Sequence, residues 1–348
     1  MLTRRRAGRF GAGVLGYLLV ALAAGTGPSS PAGAEAPPGV MIGWHEKGDN
    51  LDALAAHEAA LGKRMAVVRL YEQWHPPSAK VDRAVAEGRL AVVSHKPPPT
   101  IGWLQIALGL EDALIHELAA RYRAYGRQVV FIFHHEPHDD AIDLKNGESG
   151  LSVNFVAAFR RIHAIFVADG AHASAGGNVL FGYAATTPWM LEGDPPGSAD
   201  ALYPGDGYVD VLAHDRYNWG SCRGDAWEAF ADNWAPVVKM AAQRRKPLII
   251  GEFGAPPAGG RRDQWFRDAA AWMKTDPDAR RWLYGFAYYH SFHDTCPWDF
   301  MNSADGRAGW IEAFTNDPHF RGAPFPLPRP TNAAEPLPVL LPLPVPLL

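Results

Sequence analysis

Charge of one sign is what this sequence most lacks. Its 33 Lys and Arg stand against 37 Asp and Glu, a formal net charge of −4. Without a basic field, nucleic acid is not an expected partner. Length of apolar run is missing too: the stretch from about Val14 to Ala24 is short for a membrane span, which needs roughly 20 residues. No glycine-rich phosphate loop follows the first apolar run, where Gly43-Trp44-His45-Glu46 stands, so a nucleotide-binding open sheet is disfavoured. No H-x-H or H-E-x-x-H spacing occurs, although histidines are plentiful. Cysteine is limited to Cys222 and Cys296. In an exported chain these two are expected to pair rather than to remain free thiols.

Export is the expectation because of the order of residues at the N-terminus. Arg4, Arg5, Arg6 and Arg9 precede the apolar run, and Ala32-Gly33-Ala34 follows it as an A-x-A cleavage pattern. That is the order of a secretory signal peptide over residues 1–34, with cleavage near Ala34 and a secreted mature protein. From Gly322 to Leu348 proline recurs too often for a helix, because each proline removes a backbone donor and clashes one turn back. The expectation there is an extended, disordered tail. Residues 35–321 then remain as one catalytic domain. The composition, 47% hydrophobic and 20% charged, is that of an ordinary globular protein with a full core.

Within that region, short apolar runs alternate with helical patterns. The runs are Val40–Trp44, Met65–Tyr71, Leu90–His95, Val129–His134, Val179–Ala184, Val209–Asp215, Pro247–Glu252 and Tyr284–Tyr289. Nearly continuous apolar strands are buried on both faces, as in parallel sheets with helical crossovers. Eight of them predict an α/β protein with a closed (β/α)8 barrel. Between them, Leu114, Leu118, Tyr122 and Tyr125 recur at helical spacing, as do Phe155, Phe159, Ile162 and Phe166, and Trp227, Phe230, Trp234 and Val238. These are faces suited to covering a sheet.

In such a barrel the active site lies at the C-terminal ends of the strands. Polar residues gather at those ends. They include Arg69 to Trp74, Ser94-His95-Lys96, His134-His135-Glu136, His214 to Trp219, Gly251-Glu252-Phe253, and Tyr288-Tyr289-His290. Glu136 and Glu252 each end an apolar run, where a carboxylate is partly desolvated and needs a reason to be present. Glycoside hydrolysis supplies one: one carboxyl protonates the leaving oxygen while an ionised one attacks the anomeric carbon. The charge on one raises the pKa of the other. Hydrogen bonds from Arg69 or Tyr217 are candidates for holding the second one ionised.

At His135-Glu136, Asp215-x-Tyr217-Asn218 and Glu252-Phe253-Gly254 the sequence resembles glycoside hydrolase family 26, which includes the β-mannanases. The resemblance spans most of the region between the first and last strands. It implies Glu136 as acid/base and Glu252 as nucleophile in a retaining double displacement, with His135 binding substrate and Tyr217 bonded to the nucleophile. Mannan is the favoured polymer, with β-1,3-xylan and β-glucan also compatible. Neither cofactor nor metal is implied. Pro137-His138-Asp139-Asp140 departs from what usually follows the family's acid/base, and Tyr288 or Tyr289 stands where many relatives have tryptophan.

Trp44, Trp74, Trp189, Trp219 and Trp298 are assigned to rim loops, where an indole face stacks on a sugar ring. The candidate substrate contacts are therefore His135, Tyr217, Arg69, Lys96, Trp219, Tyr288 and Trp298. A Cys222–Cys296 bridge is expected to brace Trp219 and Trp298. The expected partner is a poly- or oligosaccharide, and the expected state is a monomer with no stable membrane span. Two other readings compete. One is a metal-dependent hydrolase using His134, His135, His138, Asp139 and Asp140. The other is a carbohydrate-binding barrel without catalysis.

Overall fold

The computed structural model describes residues 36–145, 147–186, 201–293 and 296–330. The leader (1–34), Trp189 and residues 331–348 lie outside them. Eight parallel strands close on themselves. They are β1 (Gly43–Glu46), β2 (Val67–Gln73), β3 (Leu90–Lys96), β4 (Val129–Phe133), β5 (Val179–Tyr183), β6 (Val211–Leu212), β7 (Leu248–Phe253) and β8 (Leu283–His290). Each pairs with the next, and β8 pairs back with β1 through Trp44–Tyr288 and His45–Tyr289. The expected (β/α)8 barrel is the observed fold. Two further short strands, Val40–Met41 and Phe320–Arg321, pair with each other alongside β8.

The covering helices include α1 (Leu51–Leu61), α2 (Ala79–Ala86), α3 (Asp112–Ala124), α4 (Ser152–Ala168), α5 (Phe230–Arg244) and α6 (Arg262–Thr275). Their starts and stops follow local chemistry. The Asn50 side chain accepts hydrogen bonds from the amides of Asp52 and Ala53 at 3.1 Å, which starts α1. On α4, Phe155, Phe159, Ile162 and Phe166 are all buried, as their spacing requires. On α3 the buried residues are Ile115, Leu118, Ala119 and Tyr122, so the buried stripe is centred one position away from Leu114. Trp227 precedes α5 instead of opening it.

Period-two alternation divides the strand residues into two cores. Val67, Val92, Val130, Ile132, Leu180, Val211, Ala213, Ile249 and Ala287 fill the barrel interior. Val68, Leu70, Val93, Phe131, Phe133, Leu212, Ile250 and Phe286 pack outward against the helices. Gly182 has an interior reason: a Cβ there would come within 2.8 Å of both Val130 and Ile132. Strand β6 is shorter than its apolar run. Asp210 takes over the start of the ladder, its carboxylate accepting from the Phe181 amide at 2.7 Å and meeting His172 Nε2 at 2.8 Å.

The C-terminal segment corrects the expectation of a free tail from Gly322. Leu327 is 2% exposed and belongs to the interior core, with Phe325 packed beside it. Gln128 and the Leu327 backbone exchange two hydrogen bonds, at 2.8 and 2.9 Å, and Arg329 donates to the Gly177 carbonyl. Gln128 and Gly177 lie before β4 and β5, so this segment plugs the end of the barrel opposite the strand C-termini. Burying a leucine contributes about 2 kcal/mol, enough to hold an otherwise proline-rich segment in place.

Candidate active site

A cleft of about 660 Å³ opens at the C-terminal ends of the strands. Glu136, Glu252 and Asp215 line it, together with Tyr71, His135, Tyr217, Trp219 and Tyr289. The strands bring these side chains together in two ways.

Some arrive by simple alternation. Val67, Arg69 and Tyr71 share the inner face of β2, so Arg69 lies buried above Val67 and Tyr71 forms the next layer up. Asp215 continues the inward series Val211, Ala213, and Tyr289 continues Ala287. The outward neighbour Tyr288 packs instead on Phe253, Phe266 and Phe300. From this strand Tyr289 lines the cleft, whereas Tyr288, expected as a substrate contact, is buried in the packing outside the barrel.

Both glutamates arrive by breaking the alternation. The register between β7 and β8 shifts between Ile250 and Phe253. The shift turns Glu252 into the cleft and sends Phe253 out to the helices, the re-aiming that a β-bulge provides. On β4, Ile132 faces inward, so a continuing strand would point His134 inward and Glu136 after it. Instead His134 and Glu136 both adopt left-handed backbone, with φ of 50° and 51°. The chain turns: His134 goes out beneath Trp103, while the half-buried His135 and Glu136 face the cleft. Two amides hold this turn, His134 donating to the His95 carbonyl and Glu136 to that of Ala184, each at 2.9 Å. Three side chains hold it too. Trp103 Nε1 donates to His134 Nδ1 at 2.9 Å, His134 Nε2 meets Asp140 at 3.0 Å, and Lys96 pairs with Asp140 at 2.7 Å.

Donors surround the carboxylate of Glu252. Tyr71 OH donates to Oε1 and Tyr217 OH to Oε2, the latter at 2.5 Å. Arg69 Nη2 lies 3.7 Å from Oε1, and its Nη1 is anchored on Ser94 Oγ at 2.8 Å. Burial, with the neighbouring Glu252 charge, pushes both phenols well above their usual range, so they stay protonated as donors. The Glu136 carboxyl accepts no hydrogen bond among the described residues, and the charges of Lys96 and Arg69 offset its burial only in part. Burial first, then the charges of Glu252 and Asp139, push it up to about 8. Asp215 is fully buried, and burial with Glu252 pushes it well above the carboxylate range. Gly251 makes room for it: a Cβ there would stand 2.5 Å from Asp215 Oδ1.

His135 is pushed well below its usual value by burial and by Arg69 and Lys96, so it is neutral at neutral pH. Its Nδ1 is buried with no hydrogen-bond partner among the described residues, while the ring itself lines the cleft. Tyr71 was absent from the candidates, although its place two residues after inward-facing Arg69 was available as a signal.

The tryptophans divide. Trp219 lines the cleft, as expected. Trp44, Trp74 and Trp298 are buried, at 0%, 7% and 0% exposure, and none lines the cleft, so direct sugar stacking is corrected to packing. Trp298 stacks on Tyr217 with ring centroids 4.8 Å apart and touches Trp219 at 5.1 Å. Arg69 and Lys96 likewise sit behind the lining residues, one beneath Glu252 and one on Asp140. Cys222 and Cys296 form the expected disulfide, with Cα atoms 5.3 Å apart, joining the loops after β6 and β8.

The histidine-rich cluster does not assemble into a ligand set. His134 turns to Trp103 and Asp140, and His138 meets Thr186 Oγ1 at 2.5 Å. Among the described residues, His134, His135, His138, Asp139 and Asp140 do not converge as three metal ligands.

Fold and site together define a parallel (β/α)8 barrel whose paired glutamates stand at the ends of strands four and seven. Solved structures with this fold include the catalytic domain of a glycoside hydrolase family 26 endo-β-1,4-mannanase from Bacillus sp. JAMB-750. It is 16% identical, with a TM-score of 0.57 over 80% of this chain and 86% of that one. A modular endo-β-1,4-mannanase from Cellulomonas fimi matches at 17% identity and a TM-score of 0.57, over 87% of this chain and 77% of the other. In sequence, the chain is similar to endoglucanase H of Acetivibrio thermocellus, 25% identical over 294 residues. That match covers 79% of this chain but 30% of the relative's length. No protein-family model matches the chain.

Proposed function

We propose that this protein is a retaining glycoside hydrolase of the family 26 type, acting on a β-linked polysaccharide with Glu136 as acid/base and Glu252 as nucleophile. The observation that carries the reading is the contrast between the two carboxyls in one cleft. Glu252 is ringed by two phenol donors and a guanidinium, an environment built for a carboxylate. Glu136 is desolvated and holds its proton to about pH 8.

In the first step, Glu252 attacks the anomeric carbon while Glu136 gives its proton to the departing glycosidic oxygen. The glycosyl–Glu252 ester forms and the aglycone leaves as an alcohol. In the second step, Glu136, now a carboxylate, takes a proton from water. The hydroxide so generated attacks the same carbon and releases Glu252. Neutral His135 is placed to hydrogen-bond the sugar, and Trp219 and Tyr289 offer aromatic faces. The mannanases of like fold favour a mannan-type polymer, and the endoglucanase relative keeps β-glucan in view. The arginine-led N-terminus supports secretion. No described helix is long and apolar enough to cross a membrane.

The test is release of reducing ends from a panel of β-mannans, β-glucans and β-1,3-xylan by the wild type, Glu136→Gln and Glu252→Gln. One polymer should be cut, and each substitution should lower the rate by several orders of magnitude. An aryl glycoside with a good leaving group needs no protonation, so Glu136→Gln should retain far more of its activity on that substrate than Glu252→Gln. Cleavage that survives both substitutions would refute the assignment.

A further inference from the structure

Behind the cleft wall, at the seam where β8 closes on β1, three side chains converge that the proposed hydrolysis does not use. Glu46 ends β1, His290 ends β8, and His57 reaches across from α1. We infer that Glu46, His57 and His290 form a binding site for one divalent transition-metal cation, with zinc the fitting ion.

The three offer ligand atoms that all lie within 4.8 Å of one another. Glu46 Oε2 is 2.9 Å from His57 Nδ1, and Glu46 Oε1 is 3.4 Å from His290 Nδ1. Zinc–ligand bonds of about 2.0–2.2 Å in a tetrahedron place neighbouring ligand atoms about 3.3 Å apart. Only small side-chain movements separate the present arrangement from that geometry.

The second nitrogen of His290 supplies the independent observation. Its Nε2 lies 2.7 Å from Asp299 Oδ1. Asp299 is pinned in turn, accepting from the Met301 amide at 2.9 Å and from Asn302 Nδ2 at 2.5 Å. With Asp299 beside Nε2, Nδ1 is the ring nitrogen of His290 that faces Glu46. A carboxylate that fixes the tautomer and ring of a histidine in this way is the usual outer partner of a metal ligand. The Glu46 carboxylate faces a ring nitrogen of each histidine, so one dication would be held by all three side chains at once.

The setting suits a bound ion. Glu46 and His290 are buried, and the side chain of His57 is 28% exposed, which leaves an entry path and a position for water as fourth ligand. Trp44 walls the site, its ring 4.5 Å from His290 and 5.5 Å from His57. Two imidazoles and one carboxylate select zinc-like ions over magnesium or calcium, which prefer oxygen alone. The ion would tie β1, β8 and α1 together. It would stand one residue along each strand from His45 and Tyr289, whose stacked rings lead to the cleft. Its role is to brace the rim; none of the three residues lines the cleft.

The test is calorimetric titration of untagged, chelator-stripped protein with zinc chloride, and in parallel with magnesium chloride, plus metal analysis after dialysis. The expected result is one zinc per chain, a raised melting temperature and no response to magnesium. His57→Gln should abolish binding, Asp299→Asn should weaken it at least tenfold, and His116→Gln, a surface control, should leave it unchanged. If Glu46→Gln does not fold, the part-exposed His57 carries the test alone. Failure to bind zinc, or unchanged binding in His57→Gln, would overturn the inference in favour of a purely proton-bonded network. Glu252→Gln should bind zinc normally, so this outcome is independent of the hydrolase reading.

Discussion

Glu252 accepts hydrogen bonds from two phenols and lies near one guanidinium, and each phenol makes a separate prediction. Removing one charge-assisted donor from a preorganised site costs on the order of 10²-fold in rate. Tyr217→Phe and Tyr71→Phe should therefore each lower kcat by about that factor, with little change in KM. Equal loss of substrate affinity instead would mean that the phenols hold the sugar and not the carboxylate. Glu136 makes a prediction about pH. Its proton is held to about 8 in the native protein, against an ordinary value of 4.5. The alkaline limb of kcat/KM should fall near that value. The same shift has a sign for stability. Between the two values the native state keeps a proton that the unfolded chain has lost, so stability declines as pH rises through this window. Glu136→Gln removes that decline. Melting curves should show the variant more stable than the wild type by several degrees above pH 8, with the gap closing toward pH 4.

At the level of elements, what matters is how strand ends are turned. Both glutamates reach the cleft through a break in alternation, and each break has its own support. The turn after β4 rests on Trp103, His134, Asp140 and Lys96. Burial would raise Asp140, but His134 and Lys96 outweigh it and hold it well below the usual range. Asp140→Asn should thus weaken the His134 contact and loosen the aim of Glu136. Rates on the polymer should drop about tenfold or more, because small misplacements at the reacting centre are amplified, while rates on an activated aryl glycoside change less. The loops after β6 and β8 rest on the disulfide, through Trp298 stacked on Tyr217. Cys222→Ser with Cys296→Ser should cost about 2–4 kcal/mol in denaturant unfolding and reduce activity through Tyr217. Full activity in that double variant would show that the aromatic stack holds itself.

For the whole molecule, the two ends of the barrel are separable. The segment carrying Phe325 and Leu327 closes the end away from the cleft and shares no residue with it. Leu327→Ala should destabilise by about 2–5 kcal/mol, read from denaturant midpoints, with kcat unchanged. A matching loss of kcat in folded protein would show that the plug also sets the geometry of the strand ends.

The eight strands, their parallel order and the clustering of polar residues at one rim were determined by the sequence alone. Buried parallel strands must be apolar throughout, and functional groups can appear only where those runs end. Glu136, Glu252, His135 and Tyr217 were legible for that reason, and the cysteine pair because an exported chain with two cysteines is expected to join them. What only the tertiary structure decided is the direction in which neighbouring residues point. An apolar run without alternation does not say whether Tyr288 or Tyr289 faces inward; the register of β8 against β1 does. Nor does it reveal that Ile250–Phe253 shifts or that His134 turns left-handed, since both depend on pairing with the adjacent strand. Tryptophans near strand ends looked like sugar platforms, yet Trp44, Trp74 and Trp298 are buried, because helices and loops distant in the chain fold over them. The seam of Glu46, His57 and His290 is the extreme case: its two strand residues stand 244 positions apart, and only closing the barrel makes them neighbours.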